Sequence, residues 1–486
     1  MTLKTGDQYV EEMKKMRPNV YKWGELIEDV TTHPATKHHI KTVKTWYDNA
    51  FDPDKEAIYT TTSFLSGEKA HRWNTLMHTA DDVAGNERMK RDGFHMRGSC
   101  MGPVCAGWTI LNALYGTTYE CDEEFGTKYH ERVQNFMKFA EENALAMSGA
   151  LTDAKGDRTK KPQAQENDDF YLHVKETKDD GIVLSGYKWQ ICGVVGSQYV
   201  IVMPTTGMSE GDEKYAVAAA IPRDAEGLTV VETRRPSDER AEEEGWDGID
   251  GGITQSYLIF DDVFVPNEHV FMNGEIKYAG KVVSYFCDIY RAAIGGCVAG
   301  QGDVMIGAAV GMARANGLSR KVFNDKLVQM AINNETTFGG GLGAIYAGRQ
   351  HPSGAWYPNT ILAHTNKVHV AYLPKDTKLT CIEISGGITE TGCIPSYKDM
   401  MSPIYGEKLL EGMKGAPGVD PEDRVKMARL VEWLCVGSGI PGCTQGGGSP
   451  DTAKMVVGLS TKWDELVDYA RALAKVENPL REEKKK

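Results

Sequence analysis

The sequence predicts an α+β chain of three units: a helical domain over 1–148, a β domain over 149–275 and a helical bundle over 276–486. Three observations predict it. Apolar residues recur at helical spacing in the first block, over Val20–Ile27, Ile40–Ala50 and Val133–Ala146. Between residues 170 and 260 the pattern becomes short β-branched and aromatic runs separated by turn residues, which suggests a small barrel or sandwich. After Val263-Phe264-Val265-Pro266 the helical period returns, over Val282–Ala293, Asp303–Ala315, Lys321–Asn333, Ile361–Tyr372, Arg424–Leu434 and Thr452–Leu473.

The breaks between these segments have local causes. Thr31-Thr32-His33-Pro34 and Phe51-Asp52-Pro53 interrupt the first helices. The predicted strands are Phe170–Val174, Gly181–Leu184, Tyr199–Met203, Tyr215–Ile221, Thr229–Glu232 and Tyr257–Phe260. Arg240–Asp250 is strongly charged and reads as a surface loop.

Bulk properties narrow the function. With 486 residues the chain buries a large core, and a net charge of −13 argues against nucleic-acid binding. The only basic cluster, Lys484-Lys485-Lys486, reads as a solvated tail. No uninterrupted apolar run approaches the roughly 18 residues of a membrane span, and the N-terminus has no signal-peptide pattern. A cytoplasmic protein with no membrane partner is the expectation. The ten dispersed cysteines do not read as a disulfide scaffold.

P-loop, HExxH and G-x-S-x-G motifs are absent. Gly446-Gly447-Gly448 follows a helical segment, unlike a Rossmann glycine loop, which follows a strand. Four features carry chemistry. The turn Thr152–Arg158, at the junction of helical and β blocks, offers backbone amides with Lys155 and Arg158 to a phosphate or an electron-rich ring; a polar interdomain loop is the plainer account. Gly446–Pro450 opens a helix and either presents N–H groups to an anion or simply starts the helix, with Ser449 as cap. Cys100 and Cys105 form a C-x4-C pair, and Cys297 follows Gly295-Gly296. These three make an iron–sulfur site only if they converge; buried thiols are the plainer account. Cys192, in Gln190-Ile191-Cys192-Gly193, is a separate thiol that reads as a half-buried β residue.

Taken in order, several segments resemble the 4-hydroxybutyryl-CoA dehydratase branch of the 4-hydroxyphenylacetate 3-hydroxylase family. They include Asp7-Gln8-Tyr9, Val20–Glu25, Thr32-His33-Pro34, Gly116–Glu120, Gly126–His130, Thr152–Arg158, Phe260–Pro266, Gly295-Gly296-Cys297, Asn334-Glu335-Thr336 and Gly448-Ser449-Pro450. The resemblance implies an acyl-CoA dehydrogenase-like fold, a homotetramer and FAD. It implies that Thr152, Asp153, Arg158, Gln190, Ile191 and Cys192 approach the flavin, and that Gly447, Gly448 and Ser449 approach its diphosphate. It further implies a 4Fe–4S cluster, with Cys105 and Cys297 on ligand positions and Cys100 one residue from a third. Tyr290 stands where the family has a histidine ligand.

Other departures touch the chemistry. Gln255 replaces a carboxylate, Ile294 replaces a tyrosine, and Gly442-Cys443-Thr444-Gln445 lacks an expected glutamate. Amide and apolar side chains do not shuttle protons. Three functions follow as alternatives. The first is an FAD-dependent lyase or isomerase acting on a small-molecule substrate, a hydroxyacyl-CoA or related activated acid, with Tyr290 or Tyr257 as the acid–base group. The second is an oxidoreductase, a monooxygenase of aromatic substrates using reduced FAD, with Arg97 orienting flavin or phenolate. The third is a non-catalytic relative.

Overall fold

The computed structural model describes residues 3–98, 100, 102–233, 254–436 and 446–477. The predicted loop Arg240–Asp250, the segment Gly442–Gln445 and the basic tail lie outside the described residues.

Helices Lys37–Asp48, Ala80–Arg97, Ala106–Phe125 and Tyr129–Glu142 form most of the first block. Val20–Ile27 departs from the predicted helix. It is a hairpin of strands Val20–Lys22 and Glu25–Ile27, turned at Trp23 (φ 54°) and Gly24 (φ 82°). Two successive positive-φ residues give the tight turn that matches strand twist, and this overrides the apolar spacing.

That hairpin joins the β block. A six-stranded sheet runs in the order Glu25–Ile27, Val20–Lys22, Leu228–Glu232, Gln255–Pro266, Gly181–Cys192 and His173–Thr177. It is antiparallel apart from the Val20–Lys22 and Leu228–Glu232 pair. A four-stranded sheet contains Val270–Asn273, Val217–Pro222, Tyr199–Val202 and Met147–Ala150. Both sheets contribute side chains, Leu184 and Phe260 from one and Val200 and Ala218 from the other, to a single large core shared with the first helices.

The last block is organised by one helix of 40 residues, Ile276–Ala315. The sequence reading took it as two helices, Val282–Ala293 and Asp303–Ala315, but the glycines between them are helical packing contacts. A Cβ on Gly296 would lie 2.1 Å from the Glu87 carbonyl oxygen, and one on Gly300 would lie 2.3 Å from that of Arg91. Bare glycine backbone lets helix Ala80–Arg97 approach this closely. Helices Asn324–Tyr346 and Thr360–Ser385 flank the long helix. By length and composition it resembles a membrane span, yet 72% of its most apolar window is buried inside the protein. The predicted helix Thr452–Leu473 is in fact two, Pro450–Ser460 and Trp463–Ala474, divided where Thr461 is extended. The second buries none of its residues and leaves Trp463, Leu466, Tyr469 and Leu473 exposed.

Candidate functional site

Helix Ala80–Arg97 ends at Gly98, whose left-handed backbone (φ 60°) lets its N–H close the last turn on the Phe94 carbonyl at 2.7 Å. The short link that follows carries Cys100 and Cys105 into helix Ala106–Phe125. Gly102 turns left-handed as well (φ 54°), and its N–H donates to Cys100 Sγ at 3.4 Å. Strand Gly181–Cys192 ends against this link. A Cβ on Gly193 would lie 2.6 Å from Pro103 Cδ and 2.8 Å from Gly102 Cα, so only glycine fits. From the long helix, Ile294, Cys297 and Val298 pack with Phe94, Val370, Cys100 and Tyr290. Cys100 and Cys297 thus share one packed cluster, and Cys105 and Cys192 lie near enough to interact with Cys100 electrostatically.

The electrostatics follow from that convergence. Burial, then the sulfurs of Cys192, Cys297 and Cys105, push the Cys100 thiol well above its usual range. Burial also raises Tyr290, assisted by the sulfurs of Cys105, Cys100, Cys192 and Cys297, so its phenol keeps its proton at neutral pH. Lys90, 3% exposed, is the cation of this group. Burial alone would lower it, but the sulfurs of Cys105, Cys297 and Cys100 outweigh that and hold its ammonium above the usual lysine value. Its Nζ lies 5.9 Å from the Tyr290 ring centre. Among the described residues no three ligating side chains surround a point tightly enough for a single metal ion. A four-iron cluster holds its thiolates farther apart than a single ion does.

Gln255 is the strand partner of Cys192, and its Nε2 donates to Cys192 Sγ at 3.6 Å. Tyr257, two residues on, packs its ring on Trp189 at 4.5 Å. Arg97 is the last residue of its helix, and its side chain lies outside the described set.

The two segments expected at the flavin are brought together. Trp189 N–H donates to the Thr152 carbonyl at 2.8 Å, and Asp153 bridges to Lys188. Asp153 is committed to structure: its carboxylate pairs with Lys188 at 2.7 Å and accepts from Leu172 N–H and Thr205 Oγ1. Gln190 is exposed with a left-handed backbone (φ 59°), Ile191 is buried and Arg158 is exposed. Lys155 (φ 72°) and Gly156 (φ 51°) turn left-handed in succession.

The glycine turn lies against Tyr290 and Arg291 of the long helix. Gly447 and Gly448 are left-handed, and Cβ atoms there would lie 2.7 Å from the Tyr290 ring and 2.7 Å from Arg291 Nη2. Arg291 Nε donates to the Gly447 carbonyl at 2.9 Å, and Lys367 Nζ to that of Gly446 at 2.6 Å. Ser449 caps the following helix by accepting from Thr452 N–H at 3.2 Å.

Sequence reasoning missed Lys90, Lys188, Arg291 and Lys367. A signal for two existed. Val83, Glu87, Lys90 and Phe94 follow 4-3-4 spacing on one helix face, so the two charges fall on the buried stripe. Lys188 continues the buried alternation Ile182, Leu184, Gly186 of its strand.

Behind the glycine turn, Asp288 accepts from Thr360 Oγ1 at 2.9 Å. Burial pushes its carboxyl up to about 7, against the Thr360 bond and the charges of Arg349 and Arg291. The native state therefore keeps a proton that the unfolded chain loses above about pH 4. Relative to Asp288→Asn, the wild type should lose stability as pH rises from about 4 to 7. Burial depresses the nearby His364 to about 4. It acts with the opposite sign below about pH 6.5 and lies 3.9 Å from Asp288, so the comparison is made in a His364→Gln background, which removes it from both proteins. Melting both proteins at pH 5 and 7.5 checks this; a constant gap in Tm refutes it.

Residues 5–272 match the family model described as 4-hydroxyphenylacetate 3-hydroxylase N terminal, and residues 279–475 match the corresponding C terminal. The chain is 34% identical over 490 residues to the 4-hydroxybutyryl-CoA dehydratase/vinylacetyl-CoA-Delta-isomerase of Clostridium aminobutyricum, covering 97% of this chain and 99% of that protein. It is 25% identical over 450 residues to the 4-hydroxyphenylacetate 3-monooxygenase oxygenase component of Thermus thermophilus, covering 88% and 87%. The solved structure of an oxygen-tolerant archaeal 4-hydroxybutyryl-CoA dehydratase from N. maritimus superposes with a TM-score of 0.95 at 32% identity, covering 100% of this chain and 97% of that one. An FAD complex of the oxygenase component HpaB superposes at 0.82 with 21% identity, covering 97% and 98%, and shares the fold. The helix–sheet–helix arrangement is the acyl-CoA dehydrogenase-like fold expected from the sequence. The chain belongs to the 4-hydroxyphenylacetate 3-hydroxylase family, in its dehydratase branch.

Proposed function

We propose that this protein is an FAD-dependent lyase or isomerase of the dehydratase type, acting on a hydroxyacyl-CoA or related activated acid, with a 4Fe–4S cluster beside the flavin. The convergence of Cys100, Cys105, Cys192 and Cys297 around Tyr290 and Lys90 carries this reading. The donor set suits the cluster: soft sulfurs in no disulfide, with a buried cation to offset thiolate charge. Support for the flavin comes from the joined segments Thr152–Arg158 and Gln190–Cys192, which leave Gln190 and Arg158 exposed.

Bound together, the flavin supplies electron exchange with the substrate and the cluster supplies a Lewis-acidic iron. The protein's residues set the conditions. Phe94, Ile294 and Val298 keep water from the sulfurs. Tyr290 holds its proton on Oη and offers it as a hydrogen-bond donor; Gln255 contributes a fixed N–H donor and moves no proton. Arg291 and Lys367 hold the glycine turn against Tyr290.

Gln255 and Ile294 also favour a second reading, an iron-free monooxygenase of phenolic substrates like those named for the more distant relatives. Anaerobic purification with flavin, iron and sulfide assays separates the two. The first reading expects FAD with about four iron and four acid-labile sulfide per chain. Flavin without iron, in a protein that hydroxylates a phenol when reduced, establishes the second; absence of both cofactors overturns both. We also infer a homotetramer in the cytoplasm; the uncovered apolar face of Trp463, Leu466, Tyr469 and Leu473 supports association with a further chain and says nothing of location.

A further inference from the structure

We propose that Cys192 is the fourth ligand of the iron–sulfur cluster, completing an all-cysteine set with Cys100, Cys105 and Cys297. This rests on the cluster reading above and adds a fourth ligand from the β domain.

The argument is geometric first. Cys192 belongs to a different structural block from the other three cysteines, and two left-handed residues, Gln190 and Gly193, bracket it at the end of its strand. Gly193 lies against Gly102 and Pro103 with no room for a side chain, which fixes Cys192 beside the link that carries Cys100 and Cys105. Cys297 and Tyr290 reach the same space from the long helix, where they pack with Cys100.

Tyr290 is the competing ligand, and its surroundings oppose it. Its ring stacks on Phe286 at 5.2 Å and is pinned under the Gly447 turn, and a phenol is a poorer donor to iron than a thiolate. A protonated phenol among thiolates acts instead as a hydrogen-bond donor to sulfur.

The residue facing Cys192 points the same way. Gln255 directs an N–H at Cys192 Sγ from 3.6 Å. A carboxylate at that position would repel a thiolate and raise its pKa, whereas an amide donor stabilises it. Exchanging a neutral imidazole for a thiolate adds one negative charge, and Lys90, buried among these sulfurs, supplies the offsetting cation. On ligation the thiol S–H breaks, its proton leaves to solvent and an Fe–S bond forms, with no change in oxidation state.

The test uses the full-length protein reconstituted anaerobically with iron, sulfide and FAD, in wild-type, Cys192→Ala and Tyr290→Phe forms. Iron content and electron paramagnetic resonance are read together. The expected result is about four iron per chain in wild type and Tyr290→Phe, falling to about three or fewer in Cys192→Ala. In addition, Cys192 of reconstituted wild type should resist iodoacetamide until a chelator strips the iron, as read by mass spectrometry. This second measurement needs no variant to fold. A wild type that binds four iron while Cys192→Ala keeps the same count and spectrum, or while Cys192 alkylates freely, overturns the assignment. A wild type that binds no iron overturns the cluster reading itself.

Discussion

Lys188→Met is expected to destabilise the protein by about 3–5 kcal/mol, the usual result of leaving one charge of a buried pair without its partner. Lys188 and Asp153 are 2% and 3% exposed and lie 2.7 Å apart. The Lys188 ammonium also donates to the carbonyls of Leu151 at 2.7 Å and Met203 at 3.0 Å. Removing it leaves a buried carboxylate without its counter-charge and takes this donor from two carbonyl oxygens. All of these groups border the turn that begins Thr152-Asp153, so FAD content should fall with stability. Adding Asp153→Asn removes the stranded charge and should recover part of the loss. Urea denaturation of the two single variants and the double variant measures this. A Lys188→Met protein within about 0.5 kcal/mol of wild type would show that the pair contributes nothing net.

Gly296→Ala is expected to destabilise by about 3 kcal/mol or more, since overpacking a closed contact forces backbone to move. The new methyl would lie 2.1 Å from the Glu87 carbonyl oxygen, and the obstacle is main chain, which no rotamer change relieves. Because Cys297 is the next residue, iron retention should fall as well. Gly307→Ala is the control: it lies on the same helix with nothing within 4 Å of a new Cβ. That variant should gain up to about 1 kcal/mol from helix propensity. Equal losses in both variants would mean that the long helix merely dislikes substitution, independent of the crossing.

What could be read from the sequence followed from how local each signal is. The order of helical and β blocks is written in the apolar period, and most strands fell within a few residues of their predicted places. The hairpin at Val20–Ile27 was misread because its outcome depends on positive φ at Trp23 and Gly24, which a count of apolar spacing ignores. The long helix was read as two, Val282–Ala293 and Asp303–Ala315, whereas the glycines between them are helical contacts whose partners lie some two hundred residues away in sequence. The site shows the same division. Cys100, Cys105 and Cys297 were visible in motifs, but Cys192 joins them only through the end of a strand. Lys90 and Lys188 were passed over, although each falls on a buried face of its element.

The long helix has a mechanical consequence. Forty residues make a rod of about 60 Å. Residues near Tyr278–Ala292 are embedded in the main core, Met305–Ala313 in a separate one, and Ile294–Val298 in the small core around the sulfurs. The sulfur-bearing stretch therefore lies at the fulcrum. If substrate entry or assembly tilts one end of the rod, the ends travel farthest and the midpoint least, so Cys297 keeps its distance from the thiols opposite while the flanking cores absorb the motion.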